Sequence, residues 1–314
     1  MDVGAPQLYG FSGSLLAVLN ACLVNGYGSK LPSGWTKPLP DTSSYGTFKQ
    51  ISGSQISFFL NDSGVGTGGQ KESWLTGWET ITAIDTGKVT GSGQFPTVAQ
   101  LAIGPGAVVA RKSNTADSSS IRVWTMFADA STCYLFMQSG DVVGTYTALT
   151  MGDIYSFSTG SDTWKALVIG RQLENQAVNN YENIGVNSLL GTAAAGHFMA
   201  RTYTGAGASI LLSKHGDGGK SGDPLIMAGS VQYPNATDKG IYLSPTFIGE
   251  GTSGTIRGVM RGLWFVCHAN TTLNDGQIIS GSGDFAGKTF VVVRNIGLNN
   301  SLCAIETSNT VLTN

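Results

Sequence analysis

The chain has 314 residues, of which 41 % are apolar and only 12 % charged, about half the charged share of roughly 25 % usual in globular proteins. That much apolar content excludes a disordered chain, and the 44 glycines lack the period of collagen. The formal net charge is −2 and the 18 Lys and Arg are scattered, with no run longer than Arg111-Lys112, which excludes a cationic stripe for nucleic acid.

The N-terminal "MDVGAPQLYG" has no basic region followed by an apolar run, so no secretory leader is expected, and synthesis in a cytoplasm follows. One helix is predicted in "SGSLLAVLNACLVNGYG" (12–28), where Leu15, Leu16, Val18, Leu19, Cys22 and Leu23 recur at three and four. Ser12 or Ser14 is the expected cap and Asn25-Gly26 the expected stop. Its broad apolar face must dock on something, within the chain or on a partner.

Nearly everything after it reads as strand. "QISFFLN" (55–61) is short, aromatic and bounded by Gly-rich turns. "IRVWTMFAD" (121–129) and "TCYLFMQS" (132–139) read as a hairpin, and their largely apolar faces predict cover on both sides. "DIYSF" (153–157) and "WKALVIG" (164–170) continue the pattern. The polar, then small-residue stretch over 176–196 is the expected crossing between an N-terminal helix plus β domain (1–175) and a C-terminal β domain (197–314). Strand signals resume at "HFMARTY" (197–203), "SILLSK" (209–214), "GLWFVCHA" (262–269), "KTFVVVRNI" (288–296) and "SLCAIET" (301–307), the last two joined by a "GLNN" hairpin turn. The predicted class is mainly β, with β-sandwich or barrel-like domains and one early amphipathic helix. No uninterrupted apolar stretch approaches the roughly 20 residues a membrane span needs.

Gly219-Lys220-Ser221 resembles the end of a phosphate-binding loop, but the first glycine of that motif would fall at Lys214, and Gly222 and Pro224 interrupt the helix that should follow. A solvated loop is the expected reading, and Asp217 and Asp223 lack the spacing of a calcium loop. Cys22, Cys133, Cys267 and Cys303 form no paired motif and lie in apolar runs, as buried small residues do. His197, His215 and His268 have no ligand spacing, no nucleophile elbow occurs, and Glu72, Glu79, Asp129 and Asp153 stand singly. No catalytic residue, cofactor or metal is expected. Among the six tryptophans, Trp74 and Trp78 in the polar context "KESWLTGWET" suggest a sugar-stacking platform, against which stand core packing or a subunit interface. They join Leu15, Leu19 and Leu23 of the helix as candidate partner-docking residues.

Several phrases resemble one family. "LNACLVNGYGSKLPSGWTK" (19–37), "RKSNTAD" (111–117), "MGDIYSF" (151–157), "VIGRQLEN" (168–175), "RGLWFV" (261–266), "SGSGDFAGKTFVVVRNIG" (280–297) and "IETSNT" (305–310) resemble, in order, tailed-bacteriophage virion structural proteins. The resemblance spans nearly the whole chain. It implies a non-enzymatic collar, neck or tail-associated protein made in a bacterial host. The implied partners are further copies of itself and portal/neck, tail or capsid proteins. A capsid decoration protein, or a module binding host surface glycans, is the alternative.

Overall fold

A computed structural model describes residues 2–66, 68–97, 106–114, 116–140, 146–158, 161–171, 195–207, 210–215, 233–250, 255–268, 272–294 and 302–308. β1 (Leu8–Tyr9) leads into helix α1 (Ser14–Leu19), which runs on as a π-helical turn over Asn20–Asn25. β2 (Tyr45–Lys49), β3 (Ser57–Val65) and β4 (Lys71–Trp78) form an antiparallel meander, and β5 (Thr80–Asp85) with β6 (Lys88–Ser92) forms a separate hairpin. β7 (Val108–Arg111), β8 (Ile121–Arg122), β9 (Trp124–Ala128), β10 (Thr132–Gln138), β11 (Tyr146–Asp153), β12 (Tyr155–Ser156) and β13 (Ala166–Arg171) follow. The chain continues with β14 (Ala195–Met199), β15 (Ile210–His215), β16 (Leu243–Glu250), β17 (Thr255–Val266) and β18 (Ile278–Ser280). It closes with a 3₁₀ turn at Gly283–Phe285, β19 (Thr289–Arg294) and β20 (Leu302–Glu306). The fold is mainly β and antiparallel with one short early helix, as the strand spacing predicts.

Alternation along the central strands puts successive side chains on opposite faces. On β10, Cys133, Leu135 and Met137 enter one core with α1 and with Phe48, Phe58, Leu75 and Val108 of β2, β3, β4 and β7. The intervening Tyr134 and Phe136 enter a second core with Ile248, Met260, Leu263, Cys303 and Ile305. β11 and β13 divide their residues the same way, so this layer is buried on both faces. The predicted cover of the hairpin therefore holds for β10. Among the described residues β9 pairs with β10 alone, and it is half-exposed, as an edge is.

Most of the expected crossing falls outside the described residues. The strands either side of it, β13 and β14, pair directly from Leu167↔Met199 to Arg171↔Ala195. Phe198 and Ala200 sit in the first core with N-terminal residues, whereas Tyr134 and Leu167 share the second with Cys303. Residues from both sides of the expected boundary thus pack into common cores. The "GLNN" turn also lies outside the described residues, but the strands it joins pair as expected from Phe290↔Glu306 to Arg294↔Leu302.

The helix is capped differently from the expectation. Gly13, with φ 80°, occupies the N-cap and no side chain of the helix caps it. Ser14 Oγ instead accepts from Tyr9 N at 2.5 Å. The first-turn donor Leu16 N is satisfied by Asp62 Oδ2 at 3.0 Å, a carboxylate carried on a bulge of β3. An unpaired buried carboxylate would be costly; Lys112 Nζ lies 2.5 Å from Asp62 Oδ1 and also donates to Phe11 O and Asp62 O. Burial pulls the Lys112 ammonium below its ordinary value, and the Asp62 charge opposes the shift.

Candidate functional site

The structure corrects the docking role expected of the helix. Leu15, Leu19 and Leu23 are buried within the chain's own core, together with Leu16 and Val18. Burying each such side chain is worth about 1.5–3 kcal/mol, so tertiary packing holds this short helix in place. Its apolar face is consumed internally and offers a partner nothing.

Trp74 and Trp78 are brought together as the spacing of a strand requires. Both project from the face of β4 opposite Leu75, which enters the core, and four residues of strand separate them by roughly 13 Å. Phe59 and Asn61 of β3 stand opposite Thr76 and Trp74 in the ladder. The β5–β6 hairpin folds over this face, and Gly87 at its tip, Lys88 and Val89 complete a cleft of about 330 Å³. Two approaches show how closely the hairpin is seated. A Cβ on Gly87 would come within 2.9 Å of the Tyr45 ring, and one on Gly91 within 3.1 Å of the Trp78 indole.

Each indole N–H is used inside the protein, Trp74 Nε1 on Glu72 Oε2 at 3.0 Å and Trp78 Nε1 on Thr76 Oγ1 at 2.8 Å. A Cβ on Gly64 would lie 2.6–2.8 Å from three atoms of the Trp74 ring system, so this glycine's backbone covers one indole face. The half-buried Trp74 and Trp78, only 8 % exposed, both line the cleft. Asn61 Oδ1 accepts from Ser63 N and Oγ.

A second surface was not singled out in the sequence. Tyr155 of β12 and Phe157 just after it are 56 % and 48 % exposed, large values for aromatic side chains. Their rings meet edge to face at 6.2 Å, and Phe157 meets Phe247 of β16 at 6.5 Å. Between them Ser156 points inward and donates to Asp162 Oδ2 at 2.6 Å. Asp162 is held by a buried guanidinium, with Arg257 Nε on Oδ2 at 2.8 Å and Nη2 on Oδ1 at 2.7 Å. Arg257 Nη1 donates to Glu250, whose Oε1 also accepts from Tyr203 N at 2.7 Å. Burial alone would raise the Asp162 carboxyl; the Arg257 and Ser156 hydrogen bonds outweigh it and hold the group below its ordinary value. An exposed aromatic patch therefore rests on a stiff buried charge network. The signal in the sequence was the alternation in "DIYSF", which gives a strand but not its exposed face.

The other candidates are absorbed by the fold. Cys133, Cys267 and Cys303 are buried, Cys22 is half-buried, and all are free; burial pushes the Cys22 thiol up to about 12 and Cys267 to about 11. Glu79 pairs with Arg201, Asp129 with Arg261 at 3.3 Å, and Glu72 accepts from Trp74. Asp153, raised by burial, accepts from Gln50 Nε2, Ser54 N and Ser54 Oγ. His268 Nε2 accepts from Tyr242 N at 2.7 Å; His197 is buried in β14 and His215 ends β15. Among the described residues no three His, Cys, Asp or Glu gather as a metal-ligand set, and no helix is long and apolar enough to cross a membrane. Gly219-Lys220-Ser221, with Asp217 and Asp223, lies outside the described residues.

Neither protein-family models nor curated proteins match this chain.

Proposed function

We propose that this chain is a non-enzymatic structural component of a tailed-phage virion, a collar, neck or tail-associated subunit that assembles as a homo-oligomer on portal/neck, tail or capsid proteins. The observation that carries the reading is the ordered set of phrases from "LNACLVNGYGSKLPSGWTK" to "IETSNT", which spans the chain from one end to the other. Physical chemistry supports it. A surface with few charges loses little solvation when two copies meet, and aromatic side chains are the residues that protein interfaces favour. The exposed Tyr155, Phe157 and the half-buried Phe247 supply such a surface on a rigid support. Symmetric repetition then multiplies a modest contact into a ring or lattice.

The test is direct. Purified particles of the phage that encodes the chain, separated on a denaturing gel and identified by peptide mass, should carry a protein near 32.7 kDa. A chain produced in infected cells but missing from particles overturns the reading.

A further inference from the structure

We propose that the cleft between β4 and the β5–β6 hairpin binds a neutral saccharide, with a sugar ring laid on the open face of Trp74. Its volume, about 330 Å³, falls at the small end of ligand sites, which run roughly 300–1,000 Å³. Its lining alternates aromatic faces with uncharged polar groups: Phe59, Trp74 and Trp78 beside Asn61, Thr76 and Gln94. A sugar presents the complementary pattern, an apolar C–H face with hydroxyls at its rim.

Three details favour this occupant over an apolar peptide or a lipid. Both indole N–H groups are already bonded within the protein, so the rings offer only their faces. Gly64 fixes the Trp74 ring from behind, which removes the ordering cost a free side chain would pay on binding. Asn61 holds its carbonyl on Ser63, which sets the amide orientation and leaves Nδ2 as a donor at the cleft with no partner among the described residues. Among the described residues Lys88 is the one charged residue of the lining, so it offers an acidic ligand a single cation.

The experiment uses the full chain on a printed array of neutral oligosaccharides (hexose, deoxyhexose and N-acetylhexosamine) and acidic, sialylated ones, followed by titration of the best ligand with tryptophan fluorescence as readout. Binding of a neutral saccharide that weakens about tenfold or more in Trp74→Ala and in Asn61→Asp supports the proposal. Asn61→Asp keeps the acceptor on Ser63 and replaces the free donor with an acceptor, so it separates recognition from folding. Unchanged thermal melting of Asn61→Asp confirms that the loss lies in the site. A silent array, a preference confined to acidic glycans, or binding untouched by both substitutions overturns it. So does a Trp74→Ala chain that changes only its oligomeric state, which would assign the cleft to contacts between copies. The particle gel tests the virion reading separately, since a saccharide site and a place in the virion can each fail alone.

Discussion

The two aromatic surfaces of this protein are built on the same strand alternation and end in opposite situations. Trp74 and Trp78 are recessed beneath a hairpin, with their polar atoms bonded inward and amide and hydroxyl groups at hand. Tyr155, on a two-residue edge strand, and Phe157 just past its end lie open, with a buried Arg257–Asp162–Glu250 cluster below. A recess with mixed lining selects a small polar molecule, whereas an open aromatic patch on a stiff base suits another protein. What decides between these uses is what lies above the rings, not the rings themselves.

The largest effect is expected where the open patch meets its support. Asp162→Asn removes one of two carboxylates from a fully buried guanidinium. Glu250 stays on Arg257, so the cost should fall toward the lower end of the about 3–5 kcal/mol of a pair broken outright, and urea denaturation at neutral pH should show it. The pH dependence has a definite sign. The Asp162 carboxyl is lowered in the folded state, so its contribution is present above its ordinary value of 3.8 and is lost as the pH falls through the lowered one. Asp153 behaves oppositely: burial raises it, so the folded state takes up the proton first and gains stability as the pH falls toward 3.8. Asp153→Asn should remove that gain in a urea series between pH 6 and about 4. An Asp162→Asn chain as stable as the parent would break the idea that the patch rests on a rigid base.

The next effect in size concerns association. Phe157→Asp places a charge between Tyr155 and Phe247 in the aromatic patch, and loss of an interface centre of this kind costs about 2 kcal/mol or more, roughly thirtyfold in the association constant. Sedimentation equilibrium of the purified chain should show weakened self-association with the melting temperature nearly unchanged. A monomeric parent chain, or an association that Phe157→Asp leaves intact, would remove the functional contrast between the two surfaces.

Sequence patterns carried the fold class and the strongest elements, and the reasons for the remainder are physical. The three-four spacing from Leu15 to Leu23 marked the helix because burial of one face is a local pattern. Its cap came from Asp62, 46 residues away from Leu16, and no local pattern encodes that. β10, β13 and β19 were legible as apolar runs, but β5 and β6 were not: a Thr-rich hairpin with both faces largely wet has no apolar alternation to read. Trp74 and Trp78 stand out by their polar context "KESWLTGWET", but their sharing one face follows from β4, which no predicted strand covers. The sequence "DIYSF" shows only a strand around Tyr155 and Phe157, since their exposure depends on β12 pairing, among the described residues, with β17 alone. The helix leucines illustrate the converse, as an apolar stripe reads alike whether its partner is another subunit or the chain's own core.

The smallest effect sharpens the role of the hairpin that closes the recess. The turn Asp85-Thr86-Gly87-Lys88 has positive φ at both central residues, 42° at Thr86 and 79° at Gly87. This is the primed geometry that matches strand twist, and its favoured sequence is Asn-Gly. A β-branched threonine is unfavourable at positive φ, and its exposed side chain gains only a local bond to Asp85 Oδ1 at 2.8 Å. Thr86→Asn relieves that conformation and should stabilise the chain by about 0.5–1 kcal/mol, a rise of a few degrees at most in calorimetry. An isolated two-stranded hairpin is marginal in water, so this one must draw its order from Tyr45 and Trp78 beneath it. If it closes over the cleft as part of the cooperative unit, Thr86→Asn raises the melting temperature and slows saccharide release. A melting temperature that does not move would mean that the hairpin opens independently of the rest, and the recess would then be no more enclosed than the open patch.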